Sequence, residues 1–375
     1  MRIAVIGLGL VALGDALALA RQHEVVMTGP VPERVDAINA GRYPLEDPAL
    51  APYLRRHPLR LSATLDTRAA LKGAAMVLIS SPLSLDPATG AYQTVELESR
   101  IEMACRLCPG VPIVIRSAVP IGFTERMRTL LEAETVIFAP EFTREGQTLH
   151  DALHPRFLIV GDRGAMGARV SAILLGAAMR PGVPVKLMGA TEAEAVKHFS
   201  QAYLAARVTY FNELDSYALA QNLDAKQVID GVCLDPRIGS YSNNPCFGYG
   251  GYRLPRSAQF LTDTLGKVPA HVVPTLARAN ETRLAMLTQQ VLERAARRIG
   301  LYHPTRITPE GDPMLSLRDR LVAAGAEVEL FTPDRTPRDF VRFKRECDLV
   351  VAQRMTPEIA DIRSKVFSRD LYPAV

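Results

Sequence analysis

The sequence predicts an α/β protein: a doubly wound parallel sheet, a long central helix, and a second, smaller α/β domain. Three observations predict it. Short apolar runs interleave with helical stretches from Arg2 to Val160, one helical pattern runs unbroken from Thr191 to about Leu223, and strand and helix patterns resume after Leu315. A chain of 375 residues, 48% hydrophobic and 22% charged, is long enough for more than one core.

The chain opens Arg2-Ile-Ala-Val-Ile-Gly7-Leu-Gly9-Leu-Val-Ala12, with Leu13, Ala16, Leu17 and Ala20 following at helical spacing. This reads as strand, tight turn, helix. Gly7, Gly9 and Ala12 match the dinucleotide fingerprint in its final-Ala form, where small residues let the backbone approach a pyrophosphate at a helix N-terminus. Close helix–strand packing asks for the same residues, so the motif speaks for ancestry before occupancy. The second strand, Glu24–Thr28, should end in an acid that hydrogen-bonds the adenosine ribose, but the chain continues Gly29-Pro30. Gly7, Gly9, Val11 and Arg34 are the candidate cofactor contacts, and the missing acid weighs against NAD being held. Ala75–Ser80, Val111–Arg116, Thr135–Phe138 and Phe157–Val160 are the further strands of the parallel sheet. Thr191, with Glu194 three residues on, has the pattern of a capping box opening the long helix. Leu315–Ala324 then reads as a helix, and Glu327–Phe331 and Asp348–Ala352 as strands of the smaller domain.

Forty-four Lys and Arg against forty Asp and Glu leave a formal charge of +4, spread along the chain, so neither nucleic-acid nor membrane-surface binding is expected. No apolar run reaches the roughly 18 residues that cross a bilayer. Five Cys, an odd number, and no secretory pattern over Met1–Leu10 point to free thiols in a reducing cytoplasm. Cys105 and Cys108 form a lone Cys-x-x-Cys without a second pair or a placed His, so no metal is expected. Cys233 and Cys347 sit beside apolar residues and are expected to be buried.

Three ordered segments carry a resemblance: Lys197-His-Phe-Ser-Gln201 through Asp215, Asp230-Gly-Val-Cys-Leu-Asp-Pro-Arg237-Ile-Gly, and Asn243-Asn-Pro-Cys-Phe-Gly-Tyr-Gly-Gly-Tyr-Arg253-Leu-Pro-Arg256-Ser257. They closely resemble the UDP-glucose 6-dehydrogenase family, nearest its short bacterial branch. The resemblance runs from residue 1 to Ser368-Arg-Asp370 and includes Pro140-Glu-Phe-Thr-Arg-Glu145-Gly, in that family the loop around the sugar. It implies two Rossmann-like domains joined by the central helix, a dimer built on that helix, and two hydride transfers to NAD that turn C6 of UDP-glucose into a carboxylate. The implied division is a dinucleotide-binding-type domain at 1–190, the central helix with sugar loop and dimerisation region at 191–285, and a UDP-binding-type α/β domain at 286–375. Lys197 matches a lysine that stabilises the developing oxyanion, Glu141 and Glu145 an acidic loop, and Arg237 an arginine reaching the sugar of the neighbouring subunit. Phe142, Thr143, Asn244, Phe247, Tyr249 and Gly250 complete the implied sugar contacts. Taken singly, Lys197 also reads as a solvated helix lysine, Arg237 as a surface charge and the glycines as a tight loop.

The family reaction needs a thiolate to capture an aldehyde so that a second hydride can leave. After its glycines the family reads Tyr-Cys-Leu-Pro-Lys-Asp, whereas this chain reads Tyr252-Arg253-Leu254-Pro255-Arg256-Ser257. Arginine stays protonated and cannot attack a carbonyl. Ser257 stands where the family Asp helps hold the water of proton transfer. The family Ser-Thr-Ile-Pro is Ser117-Ala118-Val119-Pro120, its helix Asn is Gln201, and its phosphate-side Thr is Leu83. Where a Gly-Ser-Asp-Asn-Phe-Arg-like stretch is expected, Pro309-Glu-Gly-Asp312-Pro313 runs straight into Met314. Cys246 has no adjacent His to activate it, and His198 reads as helix surface.

The expectation is a UDP-sugar-binding protein that does not oxidise UDP-glucose, paired as a homodimer through the central helix or as a heteromer with an active dehydrogenase. If Arg253 faces C6 near Lys197, as the resemblance implies, an anion between the cations favours an acidic UDP-sugar such as UDP-glucuronate. Alternatively, Arg253 pairs with Glu141 or Glu145 and closes the pocket. The competing reading is an enzyme: an active NAD(P)-dependent nucleotide-sugar dehydrogenase, with one two-electron oxidation without covalent catalysis as its reduced form, or a pocket used for different chemistry.

Overall fold

Successive residues of the N-terminal strands are buried on opposite faces, the condition for helices on both sides of a parallel sheet. The computed structural model describes residues 1–45, 47–84, 86, 92–251, 253–265, 268–304 and 311–373, and the chain divides into two units, Met1–His198 and Phe199–Val375. In the first, β1 (Arg2–Ile6), β2 (Glu24–Thr28), β3 (Leu61–Thr64), β4 (Met76–Ile79), β5 (Ile113–Ile115) and β6 (Val136–Phe138) form a parallel sheet in the order β3-β2-β1-β4-β5-β6. Ile3, Val5, Leu78, Val114 and Ile137 face one core, and Ala4, Ile6, Val77, Ile79, Ile115 and Phe138 face the other.

The helices of this unit are α1 (Leu10–Ala20), α2 (Pro32–Asn39), α3 (Leu50–Arg56), α4 (Thr67–Leu71), α5 (Val95–Leu107), α6 (Phe123–Leu131), α7 (Thr148–Leu153) and α8 (Ala165–Ala177). Leu13 and Leu17 of α1, Leu149 of α7 and Val170 of α8 fill the first core. Leu97 and Ile101 of α5 and Phe123 and Met127 of α6 fill the second. One strand departs from expectation. β7 (Leu158–Val160) leaves the main sheet and pairs with β8 (Val185–Leu187), reaching β6 through one bond from Gly161 N to Phe138 O at 2.7 Å.

The long helix α9 (Ala190–Ala220) begins one residue before Thr191, so Thr191 is not its cap. Glu194 is buried and caps a different helix: it accepts from Gly122 N at 2.6 Å, Thr124 N at 2.8 Å and Thr124 Oγ1 at 2.6 Å, at the start of α6. A capping-box pattern cannot tell which helix its carboxylate will serve, because that is a tertiary contact.

In the second unit, α10 (Ala225–Cys233), α11 (Arg253–Thr264) and α12 (Val272–Leu292) follow α9. A parallel sheet then forms from β9 (Arg298–Tyr302), β10 (Glu327–Phe331), β11 (Leu349–Ala352) and β12 (Val366–Phe367), in the order β10-β9-β11-β12, with α13 (Pro313–Ala323) and α14 (Pro337–Glu346) between strands. β9, an inner strand of this sheet, carries no strong strand signal because Gly300 sits in its middle. A Cβ there would lie 2.6 Å from the Phe343 ring and 2.8 Å from Cys347 Sγ, so close packing excludes any side chain. No described helix is long and apolar enough to cross a membrane.

Candidate functional site

The turn after β1 is shaped by two glycines with different duties. Gly7 has φ +128°, donates its N–H to Thr28 O at 2.8 Å, and would place a Cβ 2.0 Å from Ser80 O. Only glycine fits there. Gly9 has an ordinary φ of −78°, is the N-cap of α1, and would place a Cβ in open space. No side chain of the N-cap residue caps α1 and no acid lies in its first turn, so among the described residues the N-terminal N–H groups there, Val11 among them, have no recorded side-chain acceptor. These features fit a pyrophosphate cradle. At the end of β2 the fit differs: a Cβ on Gly29 would lie 2.8 Å from Leu8 Cγ, so a ribose-binding carboxylate would displace Leu8. Arg34 is exposed and donates through Nη1 to Leu8 O at 3.0 Å.

Lys197 is 2% exposed, not a solvated helix lysine. Its Nζ donates to Glu141 O at 2.5 Å and Glu141 Oε1 at 3.1 Å, and lies 5.1 Å from the centre of the Phe142 ring. Glu141 Oε2 accepts from Thr143 N at 2.8 Å and Thr143 Oγ1 at 2.5 Å. Lys197, Glu141, Phe142 and Thr143 therefore form one group, while Glu145 is exposed. Beneath the loop, Arg116 pairs with Asp15 at 2.9 and 3.0 Å and donates to Ala139 O at 2.7 Å and Pro140 O at 3.3 Å. Burial opposes the Arg116 charge, but Asp15 and Glu141 outweigh it and hold its pKa above the usual value. This support was missed from sequence, although a lone Asp15 within the apolar run of α1 was the available signal.

His198 is not on the surface. It is fully buried and donates through Nε2 to Val119 O at 2.7 Å, and burial, with Lys197 beside it, lowers its pKa to about 4. It is neutral at pH 7 and positions the Ser117–Pro120 segment. Leu83 is a core residue packed against neighbouring apolar side chains.

In the second unit, Arg253 opens α11 and Ser257 is buried one turn on, while Gln201 is buried on α9. Phe247 lies wholly in the core, edge-on to Phe367 with ring centres 6.0 Å apart. Tyr249 is buried, its phenol pushed up to about 12 by desolvation. Asn280 clamps its backbone, accepting from Tyr249 N at 2.9 Å and donating to Tyr249 O at 3.0 Å. A Cβ on Gly250 would lie 2.3 Å from Gly311 O, so this glycine permits two loops to pack. Asn244 ties down the C-terminal segment, donating to Asp370 Oδ1 at 2.7 Å and accepting from Leu371 N at 3.0 Å. Arg237 has a side chain 87% exposed and paired with Asp235 at 2.5 Å. Cys246 is buried, its thiol donating to Gly248 O at 3.2 Å. Cys347 is buried as expected, and Cys233 is half-buried and accepts from Asn243 Nδ2 at 3.4 Å. Tyr252, Pro309 and Glu310 lie outside the described residues. Sequence reading also missed the buried hub at Asp215, which accepts from Arg283 Nη2 at 2.6 Å and Arg369 Nε at 3.0 Å.

Residues 1–174 match the NAD binding domain of the UDP-glucose/GDP-mannose dehydrogenase family, and residues 191–282 match its central domain. The UDP-glucose 6-dehydrogenase of Streptococcus pneumoniae is 34% identical over 394 aligned residues, covering 99% of each chain. The chain belongs to the UDP-glucose/GDP-mannose dehydrogenase family. A second member, the UDP-glucose 6-dehydrogenase of Campylobacter jejuni, is 30% identical over 389 aligned residues with 99% of each chain covered. The fold is that of the UDP-glucose dehydrogenase of Pyrobaculum islandicum, with a TM-score of 0.85 over 98% of this chain and 94% of that one at 23% identity.

Proposed function

We propose that this family member binds a UDP-sugar and does not oxidise UDP-glucose to UDP-glucuronate. The observation that carries the reading is Arg253 at the head of α11, where the resemblance implies the thiol, with Ser257 buried one turn on where it implies the Asp. Without a thiolate the aldehyde has no covalent partner, and a neutral serine cannot act as the family carboxylate does in managing the proton. Retention of the sugar-side group supports ligand binding: Lys197 is buried against Glu141, and Asn280 holds the glycine turn. Because the resemblance directs Arg253 toward C6, we assign its pocket to an acidic UDP-sugar, whose carboxylate would accept charge-assisted hydrogen bonds.

The reading includes the functional division at residues 190 and 285, a cytoplasmic location consistent with five free thiols, and pairing through α9. Phe199, Tyr203, Tyr210 and Tyr217 are exposed along that helix at spacings of four, seven and seven, a stripe suited to a second copy or to an active relative. A competing reading is one two-electron oxidation without covalent catalysis, favoured by the open cradle at Gly9.

Absorbance at 340 nm with UDP-glucose and NAD or NADP tests the proposal. No reduced cofactor at high protein concentration, together with a higher melting temperature in UDP-glucuronate than in UDP-glucose, is the expected result. Steady formation of UDP-glucuronate overturns it, and a burst of one reduced cofactor per protein supports the competing reading.

A further inference from the structure

We infer that the dinucleotide half of this chain selects a 2′-phosphorylated adenosine, so that its cofactor class is NADP rather than NAD. The inference rests on the retained turn between β1 and α1, not on whether oxidation survives. Discrimination between the two dinucleotides is made at the end of β2, where an acid accepts from the free 2′-hydroxyl and repels a phosphate. That acid is Gly29 here, and Leu8 packs so closely over it that a Cβ would lie 2.8 Å from Leu8 Cγ. The repulsion is therefore absent by construction.

A cation is tied to the same turn. Arg34 is tethered by Nη1 to the carbonyl of Leu8 at 3.0 Å, and Leu8 is both the residue between the two glycines of the turn and the one covering Gly29. Its guanidinium is thus held beside the segment that would face the adenosine ribose. Among the described residues, the Leu8 carbonyl is the one hydrogen-bond acceptor recorded for Arg34, which leaves most of its five donors for a phosphate.

Among the described residues, no carboxylate is recorded in an ion pair with Arg34. Thr28, the last residue of β2, is buried and shares a hydrogen bond of 3.1 Å with the hydroxyl of Thr67. Asp66 is committed to capping α4, accepting from Arg68 N at 2.9 Å and Ala69 N at 3.1 Å. Glu33 is exposed in the first turn of α2. The phosphate cradle itself is intact, because Gly9 opens onto empty space and α1 has no side-chain cap. Pyrophosphate, an unopposed 2′ position and a tethered guanidinium define one ligand class.

Isothermal titration of the full chain with NADP and with NAD tests the inference without turnover. NADP is expected to bind tighter by about tenfold or more, the scale of one charge-assisted hydrogen bond. Adenosine 2′,5′-bisphosphate is expected to compete with it better than adenosine 5′-monophosphate does. Arg34→Gln, on an exposed side chain, should bring the two dinucleotides close to parity. Gly29→Asp paired with Leu8→Ala, which makes room for the carboxylate, should favour NAD. Equal or tighter binding of NAD, a preference unaffected by Arg34→Gln, or no binding of either dinucleotide at millimolar concentration overturns the inference. Turnover with NADP would defeat the non-oxidising function and leave this assignment standing, whereas parity of the two dinucleotides would do the reverse.

Discussion

Asp215→Asn is expected to destabilise the second unit severely. The Asp215 carboxylate is 0% exposed and neutralises two guanidinium groups, Arg283 at 2.6 Å and Arg369 through Nε at 3.0 Å and through Nη2. Arg283 is 4% exposed, and its remaining acceptors are neutral: Ser216 Oγ at 2.7 Å and Cys246 O at 3.1 Å. Burial already pulls the Arg283 pKa below its usual value, with Asp215 pushing it back up, so the charge is tolerated chiefly because of this carboxylate. Removing one side of a buried pair costs about 3–5 kcal/mol. At roughly 2–4 °C per kcal/mol for a unit of this size, the melting temperature should fall by about 6–20 °C. Arg283→Met should cost less, because Asp215 keeps Arg369. Calorimetry reads the loss directly, and urea unfolding can be followed by tyrosine fluorescence, since the chain has no Trp. The arrangement also predicts a functional effect: Arg283 holds the Cys246 carbonyl just before the glycine turn, so UDP-sugar stabilisation should weaken together with the fold. A loss below about 1 kcal/mol for Asp215→Asn would refute the reasoning, because it would mean that water or relaxation replaces the carboxylate.

Three further outcomes follow from the geometry. His198, at about 4 when folded and near 6.5 when unfolded, binds fewer protons in the folded state, so the first unit should lose stability as pH falls below about 6.5. This group alone should account for about 2 kcal/mol between pH 7 and pH 5, read as the difference between the parent and His198→Gln in urea titrations at both pH values. Gly7→Ala, with φ +128° and a Cβ 2.0 Å from Ser80 O, should cost about 3 kcal/mol or more in thermal unfolding, whereas Gly9→Ala should cost about 0.5 kcal/mol or less while weakening dinucleotide binding in calorimetric titration. Arg253→Cys alone should produce no sustained reduction of NAD at 340 nm, because Gly29, Ala118 and Ser257 remain unsuited to the family chemistry; full turnover from that single change would show that the thiol was the sole deficiency.

Periodicity exposed β1, β2, β4, β5 and β6 because their apolar residues are buried on both faces, and it exposed α9 because nothing interrupts the pattern, but it passed over β3, where Ser62 is exposed and the run is short. It missed β9 because Gly300 answers to Phe343 and Cys347, which are distant in sequence. It put Phe157–Val160 in the main sheet because an apolar run does not name its partner strand. The candidate site divided in the same way. The family motifs pointed to Lys197 and Glu141, but a lysine that reads as solvated in isolation is held in the interior by a carboxylate 56 positions away. His198 departs from its sequence reading for the mirror reason: a polar residue next to a lysine on a helix reads as surface, yet here its Nε2–H donates a hydrogen bond to the Val119 carbonyl in the interior.

Sequence alone determined the family resemblance, the main run of strands and helices in the first unit, and the residue types at Arg253, Ser257 and Gly29, because these depend on side-chain type and local spacing. Only the tertiary structure decided which charges are buried and what they hold: Glu194 capping α6, Arg116 against Asp15, and Asp215 between two arginines. The physical reason is desolvation. A charged residue's cost and duty are set by what surrounds it in space, and those neighbours come from segments far apart along the chain.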